Sequence, residues 1–274
     1  MNLTEMEPRE IKIKGSNISY FSSGSGEKTI IFLHGNSLSK ATFINQFNDV
    51  QLQDFRLIAL DFPGHGNSEY STKPETDYSL ISFMDIVLEF IRLLEIGDFI
   101  FAGHSLGGHV AIECLPFANC KGIIIWGTPP VSLPLDTSEL FMPHPDLPLI
   151  FKQYLSEKDM GLIAEMFIEK EYQSEVLVAL KLSDPMFRKY YPSTLAQGLI
   201  SDEMEILRQT NIPVSIFHGN NDDLVNYEYL QRISLPVLWH NKISIVEGAG
   251  HTPQLSHPTI FNQQLFEYCN HVFD

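Results

Sequence analysis

Six short runs of uninterrupted apolar residues constrain this chain more than any other feature: "TIIFLHG", "RLIALDFPG", "FIFAGHS", "GIIIWGTPP", "PVSIFHGN" and, less purely, "KISIVEG". A strand with one wet face alternates apolar and polar residues, whereas one that is apolar throughout is covered on both faces, as in a parallel sheet. Helical spacing fills the intervals, over roughly 78–96, 105–118 and 258–272. Strands alternating with helices predict an α/β architecture with a doubly wound, mostly parallel sheet. Ahead of them, Ile11 and Ile13, then Ile18 and Tyr20, alternate around "KGSN" and predict a hairpin.

One interval breaks the rhythm. From Pro129 to about Gln209 there is no buried strand; "LPLIFKQYLS", "MGLIAEMFIEK" and "EVLVALKL" read instead as short amphipathic helices. An excursion of about 80 residues is too long for a plain crossover, so we read 129–209 as a helical cap and 1–128 with 210–274 as the core.

The net charge of −16 argues against nucleic acid or an anionic membrane as partner, since both require clustered Lys and Arg. No apolar run reaches the ~18 residues of a membrane span. "MNLTEMEPREIKIKG" lacks the apolar stretch of a secretory leader, and Cys114, Cys120 and Cys269 show no paired spacing. The expectation is a cytoplasmic protein.

The chemistry concentrates at strand ends, where sites in open parallel sheets lie. Those ends carry His34-Gly35-Asn36, Asp61, Ser105, Thr128, Asp222 and His251. Gly103-His104-Ser105-Leu106-Gly107 sits where a buried strand meets a helix, the context in which a Gly-x-Ser-x-Gly turn presents a nucleophile. A serine hydroxyl needs a base to take its proton, and a basic histidine needs a carboxylate to fix its tautomer. His251 is the candidate base. Asp222 and Asp223 compete as its acid.

These segments resemble the α/β-hydrolase family over essentially the whole chain: "LHGNS" after the third strand, "DFPGHGNS" after the fourth, "GHSLGG", "HGNNDDLV" after the seventh and "EGAGHTPQLSHP" after the eighth. The resemblance implies the α/β-hydrolase fold, with Ser105 as nucleophile and His251 as base. The family's Gly-x-x-acid spacing, here Gly219 to Asp222, selects Asp222 over Asp223. It further implies an oxyanion hole formed by the backbone N–H groups of Leu106 and Asn36. A serine at the elbow sets the chain apart from dehalogenases and soluble epoxide hydrolases, which place an aspartate there. Within the family, "HGNS", "GGHVAIE" and "IIIWGTPPV" are most similar to metal-independent N-acyl-homoserine lactonases. The expected reaction is therefore hydrolysis of a small neutral acyl ester or lactone through an acyl-enzyme. The alternatives are a general carboxylesterase, an acyltransferase, or a receptor that retains the triad.

The remaining residues carry plainer expectations. Ten histidines raise the question of a metal, but no HExxH, HxxEH or HxHxDH spacing occurs, so neither metal nor cofactor is expected. His34, His65, His104 and His218 read as scaffold, and His144, His240, His257 and His271 as surface. "GSGEKT" at 24–29 precedes a strand and is a turn, not a phosphate loop. Of Met142, Met160, Met166 and Met186, one or two are expected to line the site.

Overall fold

The apolar runs form the centre of one sheet in the computed structural model, which describes residues 7–274. The strands are β1 (Arg9–Ile13), β2 (Ser16–Ser23), β3 (Thr29–Leu33), β4 (Arg56–Leu60), β5 (Phe99–His104), β6 (Gly122–Trp126), β7 (Val214–Gly219) and β8 (Ser244–Val246), in the order β1-β2-β4-β3-β5-β6-β7-β8. The expected hairpin is β1–β2, with Ile11 opposite Ile18, and β2 also runs antiparallel to β4. All remaining neighbours are parallel. Residues 1–6, which begin the "MNLTEMEPREIKIKG" stretch, lie outside the described residues.

Because side chains alternate along a strand, each apolar run feeds two cores. Ile31, Leu33, Ile58, Phe101, Ile123 and Ile125 pack on one face with Phe83, Val87 and Phe90 of α1 (Leu80–Leu93) and Val110 and Cys114 of α2 (Leu106–Cys114). Ile30, Phe32, Ala102, Ile124 and Trp126 pack on the other face with Phe261, Leu265 and Tyr268 of the C-terminal helix. Ser79 caps α1 by accepting from Ser82 N. The second helix stops short of its expected end because Pro116 brings no N–H to extend the ladder.

Between β6 and β7 the chain forms α3 (Glu157–Phe167), α4 (Gln173–Lys181), α5 (Pro185–Ala196) and α6 (Glu203–Gln209). The last two were not expected. Pro185, Pro192 and Gly198 punctuate that stretch, yet Pro185 falls in the first turn, where its missing N–H costs nothing. The first expected helix, at 147–156, is only a 3-10 turn over Leu147–Phe151. Met160, Ile163, Ala164 and Phe167 of α3 and Val176, Ala179 and Leu180 of α4 make a third small core. That core closes on Leu38, Leu224 and Leu255, which follow β3, β7 and β8, so these helices lie against the strand-end loops. Of the four methionines in question, Met160 belongs to this core and Met142 is exposed.

The C-terminal helix α7 (Pro258–Phe273) completes the second layer. Among the described residues, no helix is long and apolar enough to cross a membrane, and Cys114, Cys120 and Cys269 are free and buried.

Candidate active site

Ser105 joins β5 to α2 with φ 51° and ψ −115°, a backbone conformation costly for any residue with a side chain. Its neighbours hold it there. Ser105 N donates to Trp126 O (2.8 Å), and Ser105 O accepts from Gly108 N and from Thr128 Oγ1 (both 2.9 Å). The flanking glycines are steric requirements of the same turn. A Cβ on Gly103 would stand 2.6 Å from Gly107 O, and one on Gly107 would drive into the carbonyls of Leu33 and His34. Ser105 is thereby left partly exposed while residues 101–104 and 106–108 are buried.

The candidate acid and base, Asp222 and His251, lie in the loops after β7 and β8, which are tied together by Asn221 N donating to Ala249 O (2.9 Å). Asp222 Oδ2 lies 2.9 Å from His251 Nδ1, and both side chains are almost wholly buried. Oδ1 accepts from Leu224 N (2.8 Å) and Val225 N (3.2 Å). Burial pushes the Asp222 carboxyl up, but the charge and hydrogen bond of His251 and the Leu224 N–H outweigh it. The net shift is below the usual range. Asp223 points to solvent.

His251 is held from three sides. Its carbonyl accepts from His104 Nε2 (3.0 Å), its ring centroid lies 5.4 Å from that of Phe167 of α3, and its imidazole packs on Gly127. His104 is scaffold, as expected. Burial, reinforced by the nearby His251, holds its pKa well below the ordinary value, so it donates from Nε2 and leaves Nδ1 buried without a partner. No Ser105 Oγ–His251 hydrogen bond is formed. The two residues are joined through main chain, because Trp126, which binds Ser105 N, precedes the glycine that supports the imidazole.

Leu106 N sits in the first turn of α2, where helix geometry provides no acceptor. Asn36 lies in the loop after β3, which is pressed against the elbow: a Cβ on Gly35 would stand 2.8 Å from His104 Nδ1. His34 anchors that loop, with Nδ1 donating to Gly35 O (2.9 Å) and Nε2 accepting from Phe62 N (3.0 Å). Asn36 Oδ1 accepts from Ser37 Oγ (2.8 Å). Asp61, another strand-end acid, is fully engaged by Lys40 Nζ (2.5 Å), Lys40 N (2.7 Å) and Asn67 N (2.8 Å).

Three polar residues of this neighbourhood carried no sequence signal. Lys40 is buried beneath Asp61, and Arg188 of α5 is buried behind the Asn36 loop. Glu203 accepts from Val131 N (2.8 Å) and pairs with His109 Nδ1 (2.9 Å), so it links α6 to α2 and to the chain that follows β6. A single charged residue carries no burial pattern of its own, and only long-range packing buries these three.

The chain is similar to known proteins along most of its length. Residues 30–264 match the profile of the alpha/beta hydrolase family. A pimeloyl-(acyl-carrier protein) methyl ester esterase of Wigglesworthia glossinidia brevipalpis is 29% identical over 256 residues, spanning 87% of this chain and 92% of its own. A non-heme chloroperoxidase of Streptomyces lividans is 24% identical over 294 residues, spanning 93% of this chain and 96% of its own. Among solved structures, the N-acyl homoserine lactonase AidH complexed with N-butanoyl homoserine superimposes with a TM-score of 0.90 at 27% identity, covering 96% of each chain. A mutant of it complexed with N-hexanoyl homoserine lactone gives 0.91 at 26%, covering 97% of this chain and 100% of its own. With a family profile matched over most of its length, the chain belongs to the alpha/beta hydrolase family and is an enzyme of esterase-, lipase- or lactonase-like type.

Proposed function

We propose that this enzyme hydrolyses a neutral carboxylic ester or lactone through an acyl-enzyme on Ser105, and that an N-acyl homoserine lactone is its substrate. The observation that carries the substrate is the whole-chain likeness to AidH, inserted segment included, at 26% identity with a TM-score of 0.91.

In this mechanism Ser105 Oγ attacks the acyl carbon as His251 Nε2 takes its proton. Asp222, on the opposite ring nitrogen, stabilises the imidazolium that forms. Charge then develops on the carbonyl oxygen, where the N–H groups of Leu106 and Asn36 are the donors. Leu106 gains from the partial positive charge at the start of α2. Collapse expels the alkoxide, protonated by His251, and a water activated by the same imidazole releases the acid. In a lactone the alkoxide stays tethered to the acyl group, so one product carries both the new carboxylate and the hydroxyl.

Residues 129–209 serve as a cap over this site. The closure of α3 and α4 on Leu38, Leu224 and Leu255, and the seating of Phe167 beside His251, support that role. A second reading, a general carboxylesterase, draws on the methyl ester esterase at 29% identity.

Acid release from C6 to C12 acyl-homoserine lactones, followed by pH-stat beside p-nitrophenyl butyrate, tests the assignment. The lactones are expected to give the higher kcat/KM. Uniformly poor lactone turnover beside good ester turnover would transfer the assignment to the carboxylesterase.

A further inference from the structure

We propose that Arg188 is a positioning residue for the oxyanion loop. Acting through Ser37, it orients the Asn36 side-chain amide so that its Nδ2 hydrogens face the substrate carbonyl as a further donor. The inference rests on the hydrolase reading above.

Direction in this chain of hydrogen bonds is set by chemistry. A guanidinium has five N–H donors and no acceptor. Where Arg188 Nη1 meets Ser37 Oγ (3.4 Å), the hydroxyl must accept, and its own proton goes to Asn36 Oδ1 (2.8 Å). An amide whose oxygen is held in this way presents its nitrogen at the other end. Among the described residues Nδ2 of Asn36 takes no hydrogen-bond partner, and the residue as a whole is buried. Were Ser37 absent, either end of the amide could turn to the cleft, and the oxygen would repel a developing oxyanion.

Two further observations fit a device that positions this loop. Ser37 has φ 55°, a left-handed conformation that costs a non-glycine residue free energy and persists only where the surroundings hold it. The guanidinium itself is immobilised by the inserted segment: Nε donates to Lys152 O (3.1 Å), Nη2 to Gln153 O (3.3 Å) and Nη1 also to Ser183 Oγ (3.1 Å). Its acceptors are two carbonyls, of Lys152 and Gln153, and one hydroxyl, of Ser183, from the insertion, plus a single hydroxyl from the core. Arg188 is therefore a polar tie between the inserted helices and the loop after β3, and seating those helices also orients Asn36.

The test is a double-mutant cycle on p-nitrophenyl butyrate, with kcat expressed per site titrated by a fluorophosphonate. Arg188→Met and Asn36→Ala are each expected to lower kcat by about ten-fold or more, on the scale of losing part or all of one oxyanion donor, with KM within about two-fold. Combined, they should cost no more than Asn36→Ala alone, because the arginine acts only through that amide. Ser37→Ala supplies an independent cycle against Asn36→Ala should Arg188→Met fail to fold, with the same non-additivity expected. Additive losses, or an Arg188→Met enzyme whose kcat per titrated site is unchanged while Tm falls, would reduce Arg188 to a structural residue. A wild type without ester turnover would overturn the hydrolase reading and this inference with it, whereas turnover with additive losses overturns this inference alone.

Discussion

The imidazole of His251 lies so close to Gly127 that a Cβ on that glycine would stand 2.8 Å from its Cε1 and 3.2 Å from both ring nitrogens. Gly127 also has φ 59°, which a side chain rarely adopts. The turn after β6, which contributes no charged group to the site, thus holds the histidine by leaving room for it. Gly127→Ala is expected to displace the ring and lower kcat by about a hundred-fold, the cost of misplacing a reacting group by roughly an ångström. Steady-state hydrolysis of p-nitrophenyl butyrate measures it, and wild-type kcat in a folded variant would show that the ring has room to spare.

Ser105→Ala should lower kcat by ~10⁴ to 10⁶, the range found when a serine nucleophile or its base is removed, and should abolish fluorophosphonate labelling. Persistent labelling would move the nucleophile elsewhere.

The two adjacent aspartates separate cleanly. Asp222→Asn keeps the shape but cannot hold the His251 tautomer, so kcat should drop by about 10⁴, whereas Asp223→Asn, at an exposed position, should stay within about two-fold of wild type. The reverse outcome would assign the acid to Asp223.

Acid stability should be poor, because His34, His65 and His104 are folded in their neutral forms. Burial is the main cause in each, and it pushes His34 down to about 3. Each has a folded pKa below the unfolded value of 6.5, so the unfolded chain binds more protons. The stability they contribute is fully present above about pH 6.5 and is lost as pH falls from there toward the folded values. The slope is about 1.4 kcal/mol per pH unit for each group. Asp222, whose folded pKa is depressed below 3.8, adds a further loss only at lower pH. Urea unfolding between pH 7.5 and 5 checks this, and His34→Gln should flatten the slope by one proton if that variant folds. A slope near zero for wild type would mean that the imidazoles can charge within the fold.

Much of this molecule was legible from local pattern. Runs such as "TIIFLHG" carry their burial in their own composition, so the sheet and its two layers follow from period and run length. The Gly103–Gly108 elbow was legible for a similar reason, since a sharp turn with crowded neighbours demands glycine at set positions, and the order Ser105, Asp222, His251 could be read from strand ends. What only tertiary structure decided were contacts between distant residues. The family's spacing already favours Asp222 over the adjacent Asp223, but the docking of the β7 and β8 loops is what makes it a buried partner of His251. Lys40, Arg188 and Glu203 look like surface charges until elements from elsewhere in the chain bury them beside Asp61, Ser37 and His109. The physical reason is range: a strand's apolarity or a glycine's turn is a property of a few consecutive residues, whereas a buried polar contact depends on desolvation and geometry supplied by segments far apart in the chain.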